Sequence, residues 1–149
     1  TDFKTKVPLA ITTSYNEAQE KGTKMHEVLA KIKQKNQWKN AIASTVTDDD
    51  GYYAQQTQLV LQFFEKQQWF DEKWQHINER SFTFNGEFMR ADKILLSADS
   101  CIIIDYKTGA KENTHIHQLQ NYKAAYATFV PQKVSAFLLY IDTLELQEI

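Results

Sequence analysis

The residues with the clearest chemical potential are a carboxylate and an amine that end an apolar run. Asp105 and Lys107 follow the run 101–104, Cys-Ile-Ile-Ile, and such continuous runs are typical of strands in the middle of a sheet. Because side chains two apart in a strand point to the same face, we expect Asp105 and Lys107 to project together while Tyr106 faces away. Charged groups in such a place cost free energy unless they are paired or bind an ion. This strand end is therefore a candidate site.

A second carboxylate, Asp92, precedes this strand on the returning arm of a predicted hairpin. A short turn near Asp99 would bring Asp92 and Asp105 onto neighbouring strands. Carboxylate oxygens are the ligands of hard divalent ions, and such ions activate water and stabilise the charge that develops in phosphodiester hydrolysis. Lys107 can orient or deprotonate the water, or neutralise developing charge. The residues therefore predict metal-assisted phosphodiester hydrolysis.

The elements that must position these residues divide the chain into a helical first half and a strand-rich second half. Apolar residues at helical spacing between Met25 and Ile32 predict a first helix, with Thr23 as its N-cap. A short second helix is expected over 38–46. The run Asp-Asp-Asp-Gly at 48–51 predicts a break, and a third helix is expected over 52–69.

The second half changes to the period of strands. Asn85-Gly86 supplies the two positive φ angles of a type I′ turn and predicts a hairpin between 82–84 and 87–96. The remaining predicted elements are a strand over 101–107, a helix over 114–129, a strand over 134–141 and an edge strand over 144–149. Helices that accompany a mixed sheet define the α/β class.

Length and composition limit the function classes. A chain of 149 residues with 42% hydrophobic residues corresponds to one domain. The single cysteine, Cys101, excludes an internal disulfide and any four-cysteine zinc or iron–sulfur site. We expect a cytoplasmic protein with no membrane partner, because the N-terminus lacks a secretory signal and the apolar runs are far shorter than the roughly 20 residues that span a bilayer. The net charge of −2 disfavours a free-standing nucleic-acid binder.

Three motifs, in order along the chain, resemble the RecB/AddA-type branch of the PD-(D/E)XK nuclease superfamily. Residues 22–29 look like its G-T-x-x-H-x-x-L signature, residues 105–109 match its D-Y-K-T-G, and residues 118–122 match its Q-L-x-x-Y helix. The resemblance implies a restriction-endonuclease-like fold, with a mixed central sheet flanked by helices and a helical N-terminal half. It also implies DNA cleavage dependent on one or two Mg²⁺ or Mn²⁺ ions, usually exonucleolytic.

The resemblance assigns roles to individual residues. The implied metal ligands are His26, Asp92, Asp105 and the backbone carbonyl of Tyr106. The implied catalytic residues are Asp92, Asp105, Lys107, Gln118 and Tyr122. Glu79 corresponds to an accessory acidic position. The family pattern has a glycine three residues before its first aspartate, where this chain has Met89.

The closest resemblance is to nuclease domains at the C-terminus of UvrD/REP-like helicase–nucleases, which act in recombination and DNA repair. We therefore expect residues 1–149 to be a single nuclease domain excised from such a protein, with DNA, single-stranded or unwound, as substrate. The sequence has no G-x-x-x-x-G-K-[ST] phosphate loop, so ATP would bind only in a separate helicase domain. Two alternatives stay open: a catalytically silent nuclease-fold module that binds DNA or acts as a scaffold, and a stand-alone nuclease of phage or CRISPR type.

Overall fold

The computed structural model describes residues 9–149, with side chains from residue 17 onward, and contains one five-stranded sheet. The helices are α1 (Leu9–Ala30), α2 (Trp38–Ala43), α3 (Tyr52–Lys66) and α4 (Asn113–Phe129), with a 3₁₀ turn at Lys35–Gln37. The strands are β1 (Gln75–Phe84), β2 (Glu87–Leu96), β3 (Ser100–Lys107), β4 (Lys133–Tyr140) and β5 (Glu145–Glu148). In the described part of the chain, no helix combines the length and apolar character needed to cross a membrane.

The sheet is mixed, and its spatial order follows the chain order from β1 to β5. Antiparallel pairing joins β1 to β2, β2 to β3, and β4 to β5. The pair β3–β4 is parallel, so its connection requires a crossover, which α4 provides. The predicted α/β class with a mixed sheet is confirmed. β3 lies in the centre of the sheet, which explains its continuous apolar run.

Two apolar clusters cover the two faces of the sheet. On one face, residues of α1 and α3 such as Met25 and Phe64 pack on Ile104 and Tyr106. On the other face, Leu119 of α4 packs in a cluster with strand residues such as Ile103. The alternation of β3 therefore sends Tyr106 to the side of α1 and α3, as predicted from its position between two charged residues.

Several predicted boundaries are wrong. Helix α1 begins at Leu9 rather than after Thr23, so Thr23 is an internal helical residue and not an N-cap. Strand β1 begins at Gln75, before the predicted start at Phe82, because its polar first residues lack the apolar alternation that marks a strand. Helices α2 and α3 end at Ala43 and Lys66, three residues earlier than expected in each case.

The predicted hairpin turn is confirmed. Asn85 has φ 51° and Gly86 has φ 79°, which are the two positive values a type I′ turn needs. Phe84 pairs with Glu87 across it. The Asp-rich break before α3 is also present: Gly51 is the N-cap with φ 96°, and the carboxylate of Asp49 accepts its backbone N–H.

The β1–β2 ribbon switches faces midway along its length. On β2, Ala91 and Ile94 belong to the same cluster under α4 although they are three positions apart. On β1, Ile77 and Phe82 behave in the same way, and Glu79 between them has φ 51°. Strict alternation cannot place residues an odd number apart on one face. Both strands are therefore distorted where Glu79 faces Asp92.

Candidate active site

Asp92 lies where β2 separates from β3. Pairing between these strands ends at Lys93 and Ile104. Beyond that point the backbone N–H of Tyr106 donates a 2.8 Å hydrogen bond to Oδ2 of Asp92. The carboxylate thus takes the place of a strand carbonyl, and it fixes Asp92 beside the end of β3, as the sequence predicted.

Asp105 and Lys107 project to one side at the end of β3, as their spacing predicted. Nζ of Lys107 lies 2.9 Å from Oδ2 of Asp105 and donates a 2.7 Å hydrogen bond to Oε1 of Gln118 on α4. Gln118 donates in turn to the hydroxyl of Tyr122, 3.2 Å away and one helical turn on. Helix α4 therefore orients the lysine, and its two predicted site residues lie in the same chain of contacts.

His26 reaches the carboxylates from α1. Its Nε2 lies 2.9 Å from the backbone carbonyl of Tyr106 and 3.5 Å from Oδ2 of Asp92. Its Nδ1 lies 3.0 Å from the carbonyl of Gly22. Carbonyl oxygens only accept hydrogen bonds, so both ring nitrogens must carry protons and His26 is an imidazolium here.

The charge on His26 agrees with its surroundings. Burial lowers its pKa, but the hydrogen bond and negative charge of Asp92 outweigh burial, and the carbonyls of Gly22 and Tyr106 add to them, so the pKa is raised to about 9. The ion pair between His26 and Asp92 is thus part of the site.

Asp92 and Asp105 differ in protonation although they are adjacent. Burial raises the pKa of Asp105, and the negative charge of Asp92 raises it further against the opposing effect of Lys107. For Asp92, burial is outweighed by the hydrogen bonds from His26 and Asp105, and the pKa is lowered. Two carboxylates in one desolvated site cannot both ionise easily. Asp105 is therefore the one that holds a proton near neutral pH.

Two of the sequence motifs meet where α1 crosses the end of β3. A Cβ atom added to Gly22 would lie 2.9 Å from Oγ1 of Thr108, which is closer than such atoms pack. Glycine at this position lets α1 approach the strand end. That approach is what brings His26, four residues later and one helical turn on, within reach of the carboxylates.

The donor chemistry of this cluster fits a divalent ion. Oδ2 of Asp105 is buried, and the ammonium of Lys107 lies at ion-pair distance from it without the direction of a hydrogen bond. A carboxylate oxygen without a donor is the kind of group that binds Mg²⁺ or Mn²⁺. Within the residues that the structure describes, no group of three or more His, Cys, Asp or Glu side chains is arranged as a metal centre, and Nε2 of His26 contacts the carbonyl of Tyr106.

The cluster opens into a cleft of about 390 Å³. The cleft is lined by all seven site residues predicted from the sequence, together with Phe88, Met89 and Arg90 of β2. A neighbouring cleft of about 680 Å³ shares His26 and Arg90 and includes Glu79. Glu79 pairs with Arg90 at 3.0 Å. The predicted accessory residue thus lies in the adjoining cleft and is ion-paired with a residue that lines both clefts.

Sequence reasoning missed the polar and aromatic residues around this cluster. The sequence places Phe88 and Arg90 in the predicted strand 87–96 but assigns neither a role in the site, and their alternation with Met89 is the available signal. Lys93 is 1% exposed, and its Nζ lies 2.8 Å from Nδ1 of His76. No pattern in the sequence marks it as buried.

Comparisons with known proteins add little to this geometry. No protein-family model matches the chain, and no curated protein matches it. Among solved structures, one described as "Crystal structure of SSO0001" is similar with a TM-score of 0.34 and 17% identity. The similarity covers 85% of this chain, which spans 65% of the length of that chain. The site must therefore be interpreted from its own residues.

Proposed function

We propose that this chain is a metal-dependent deoxyribonuclease domain that hydrolyses phosphodiester bonds. The observation that supports it best is the convergence of Asp92, Asp105, Lys107 and His26, from three separate elements, in one open cleft. Charged groups brought together at the end of a buried strand contribute little to packing. They match the needs of phosphodiester hydrolysis, which are oxygen ligands for a cation and a positive group near the scissile phosphate.

Each residue has a role that follows from its position. Asp92 and Asp105, with the carbonyl of Tyr106 and with His26 once it loses a proton, would hold the ion. A divalent ion bound there would supply an activated water and charge stabilisation at the phosphate. Lys107 would neutralise charge on the transferring group or orient water, held in place by Gln118.

The proposal extends to the whole resemblance. It includes the restriction-endonuclease-like assignment of the fold, the exonucleolytic mode and a helicase motor as partner in recombination or repair. A domain of net charge −2 would then depend on that motor for much of its grip on DNA, because phosphate neutralisation supplies most non-specific affinity.

The test is degradation of end-labelled single-stranded DNA in Mg²⁺ or Mn²⁺. Lys107→Ala should lose at least about 100-fold in rate, the usual effect of removing one preorganised positive or donor group. Asp105→Asn should lose at least as much. Lys133→Ala removes an exposed lysine at the start of β4 and should leave the rate unchanged. Equal rates for wild type and Lys107→Ala would refute the assignment of the site.

A second candidate is a nucleic-acid-binding module that has kept the site without catalysis. What favours it is that His26 already neutralises Asp92, so the carboxylates need no metal to be stable. Titration calorimetry with Mn²⁺ separates the two. A nuclease should bind Mn²⁺ in a manner abolished by combining Asp92→Asn with Asp105→Asn, whereas a silent module should show no such binding.

A further inference from the structure

Phe88 is the large apolar side chain with the highest exposure among the described residues, at 76%. It lies on β2, two residues after the hairpin turn, and lines the same cleft as Asp92 and Asp105. Its backbone is fixed, because it pairs with Thr83 across the ribbon. An exposed aromatic ring on a paired strand at the mouth of a charged cleft suggests a contact surface for a ligand.

The outward positions of β2 form a series that leads into the site. Met89 and Ala91 are buried under α4, while Phe88 and Arg90 between them are exposed. The next position in the alternation is Asp92. Phe88 and Asp92 are four residues apart, which is about 14 Å along a strand. A ligand that reached both would meet an aromatic face, a guanidinium and a carboxylate in turn.

Arg90 can be released to such a ligand. Its guanidinium lies 3.0 Å from Oε2 of Glu79, and the two side chains are 57% and 35% exposed. Exposed ion pairs contribute little to stability, so the exchange of Glu79 for a phosphate costs little. Arginine forms bidentate hydrogen bonds with phosphate as readily as with carboxylate.

We propose that Phe88 and Arg90 form an entry track for single-stranded nucleic acid, in which Phe88 stacks on a base and Arg90 contacts a neighbouring phosphate. This inference rests on the proposed function and specifies its substrate. Inside a duplex both faces of each base are covered by its neighbours, so a blunt duplex offers Phe88 only its two terminal base pairs, whereas every unpaired base of a single strand can offer a face. The track therefore selects single strands or frayed ends over blunt duplexes.

The test is binding of fluorescein-labelled single-stranded DNA, with a blunt duplex of the same sequence measured in parallel. A chelator in the binding buffer removes divalent ions and so prevents cleavage of the DNA. Phe88→Ala should weaken single-strand binding about tenfold, as expected for loss of one base–aromatic stack, and leave duplex binding unchanged. Phe88→Trp should restore affinity, and its added fluorescence should be quenched by the DNA. Leu59→Ala, at a residue on α3 that is 38% exposed, is the matched apolar control and should bind as wild type.

Arg90→Gln tests the second contact. It should lower the slope of log affinity against log salt by about 0.7, which corresponds to one single-strand phosphate contact. An unchanged slope would remove Arg90 from the track.

The outcomes separate this inference from the nuclease proposal. Cleavage by wild type with unchanged binding by Phe88→Ala would overturn the track alone. Binding that depends on Phe88 without any metal-dependent cleavage would support the track and refute the nuclease. The track would also be overturned if wild type did not bind single strands, or if Phe88→Ala weakened duplex binding as much as single-strand binding. It would be overturned too if wild type were a dimer and Phe88→Ala a monomer. The last result would identify a second copy of the chain as the occupant.

Discussion

Lys93 offers the sharpest test of how this fold accommodates charge. Its side chain is 1% exposed, and none of the described carboxylates lies within ion-pair distance. Nζ donates to the carbonyl of Ile32 at 3.2 Å and to Nδ1 of His76 at 2.8 Å. Burial lowers the pKa of Lys93 from 10.5 to about 7, with a smaller contribution from the charge of Lys33. We predict that Lys93→Met stabilises the protein at neutral pH.

The magnitude follows from this shift. A fall from 10.5 to about 7, at 1.36 kcal/mol per unit, corresponds to a penalty of about 5 kcal/mol for the buried charge. Methionine removes that penalty but leaves Nδ1 of His76 without its donor, which costs about 1–3 kcal/mol. The carbonyl of Ile32 keeps a 2.9 Å hydrogen bond from Asn78. The expected net gain in unfolding free energy at pH 7 is therefore about 2–4 kcal/mol.

The pH dependence gives the more stringent check. Between pH 7 and 10.5 the unfolded chain binds a proton at Lys93 that the folded chain does not, so wild type gains stability as pH rises. The methionine variant has no such group. Its advantage should therefore shrink by about 1.4 kcal/mol for each pH unit between 7 and 9.5.

Urea unfolding of both proteins at several pH values in that range measures the difference. Lys133→Met, at an exposed lysine, is the control and should stay within about 0.5 kcal/mol of wild type throughout. A difference between Lys93→Met and wild type that does not change with pH would refute the conclusion that the buried amine loses its proton near neutrality. A variant less stable at pH 7 would show that hydrogen bonding by Lys93 outweighs its desolvation.

Three further predictions concern the site and its supports. Tyr106→Phe should raise the free energy of unfolding, measured by thermal unfolding, by about 1 kcal/mol, because the buried hydroxyl of Tyr106 has no hydrogen-bond partner among the described residues. A loss of stability would mean that the hydroxyl does form a hydrogen bond. Gly22→Ala should raise the free energy of unfolding by about 1 kcal/mol, its gain in helix propensity, when Thr108 is also alanine, but not when Thr108 is present. A coupling energy near zero between Gly22→Ala and Thr108→Ala would contradict the close approach of α1 to β3. Mn²⁺ binding at pH 7 should release close to one proton from His26 and part of one from Asp105, seen by calorimetry in buffers of different ionisation enthalpy, and His26→Asn should remove the larger part of that release.

The sequence predicted the parts of the fold in which local pattern and tertiary role agree. The turn at Asn85-Gly86 needs only backbone chemistry, and the direction of Asp105 and Lys107 needs only strand alternation. Both are confirmed. The polar start of β1 could not be predicted, because these residues become a strand by pairing with β2 and show no apolar alternation of their own.

The candidate site shows the same division. Spacing was enough to predict that Asp92, Asp105 and Lys107 would meet. The protonation of His26 could not be predicted from the sequence, because it depends on contacts with two backbone carbonyls that form only in the folded chain. The same holds for Lys93, which has the sequence pattern of an ordinary polar residue of a strand and is buried beside Ile32, His76 and Phe64.

The end of β2–β3 pairing at Lys93 leaves the outer ribbon without ladder hydrogen bonds to the rest of the sheet. From Arg80 to Ala91 the two strands pair only with each other, and their support from outside is packing against α4, by the buried Met89 and Ala91 and by aromatic contacts such as that between Phe82 and Tyr126. Their amides should therefore exchange with solvent faster than those of β3, as a local opening unit. Insertion or removal of one residue pair at the turn would then change the reach of the arm while Asp92, held at the distortion by the backbone N–H of Tyr106, kept its position.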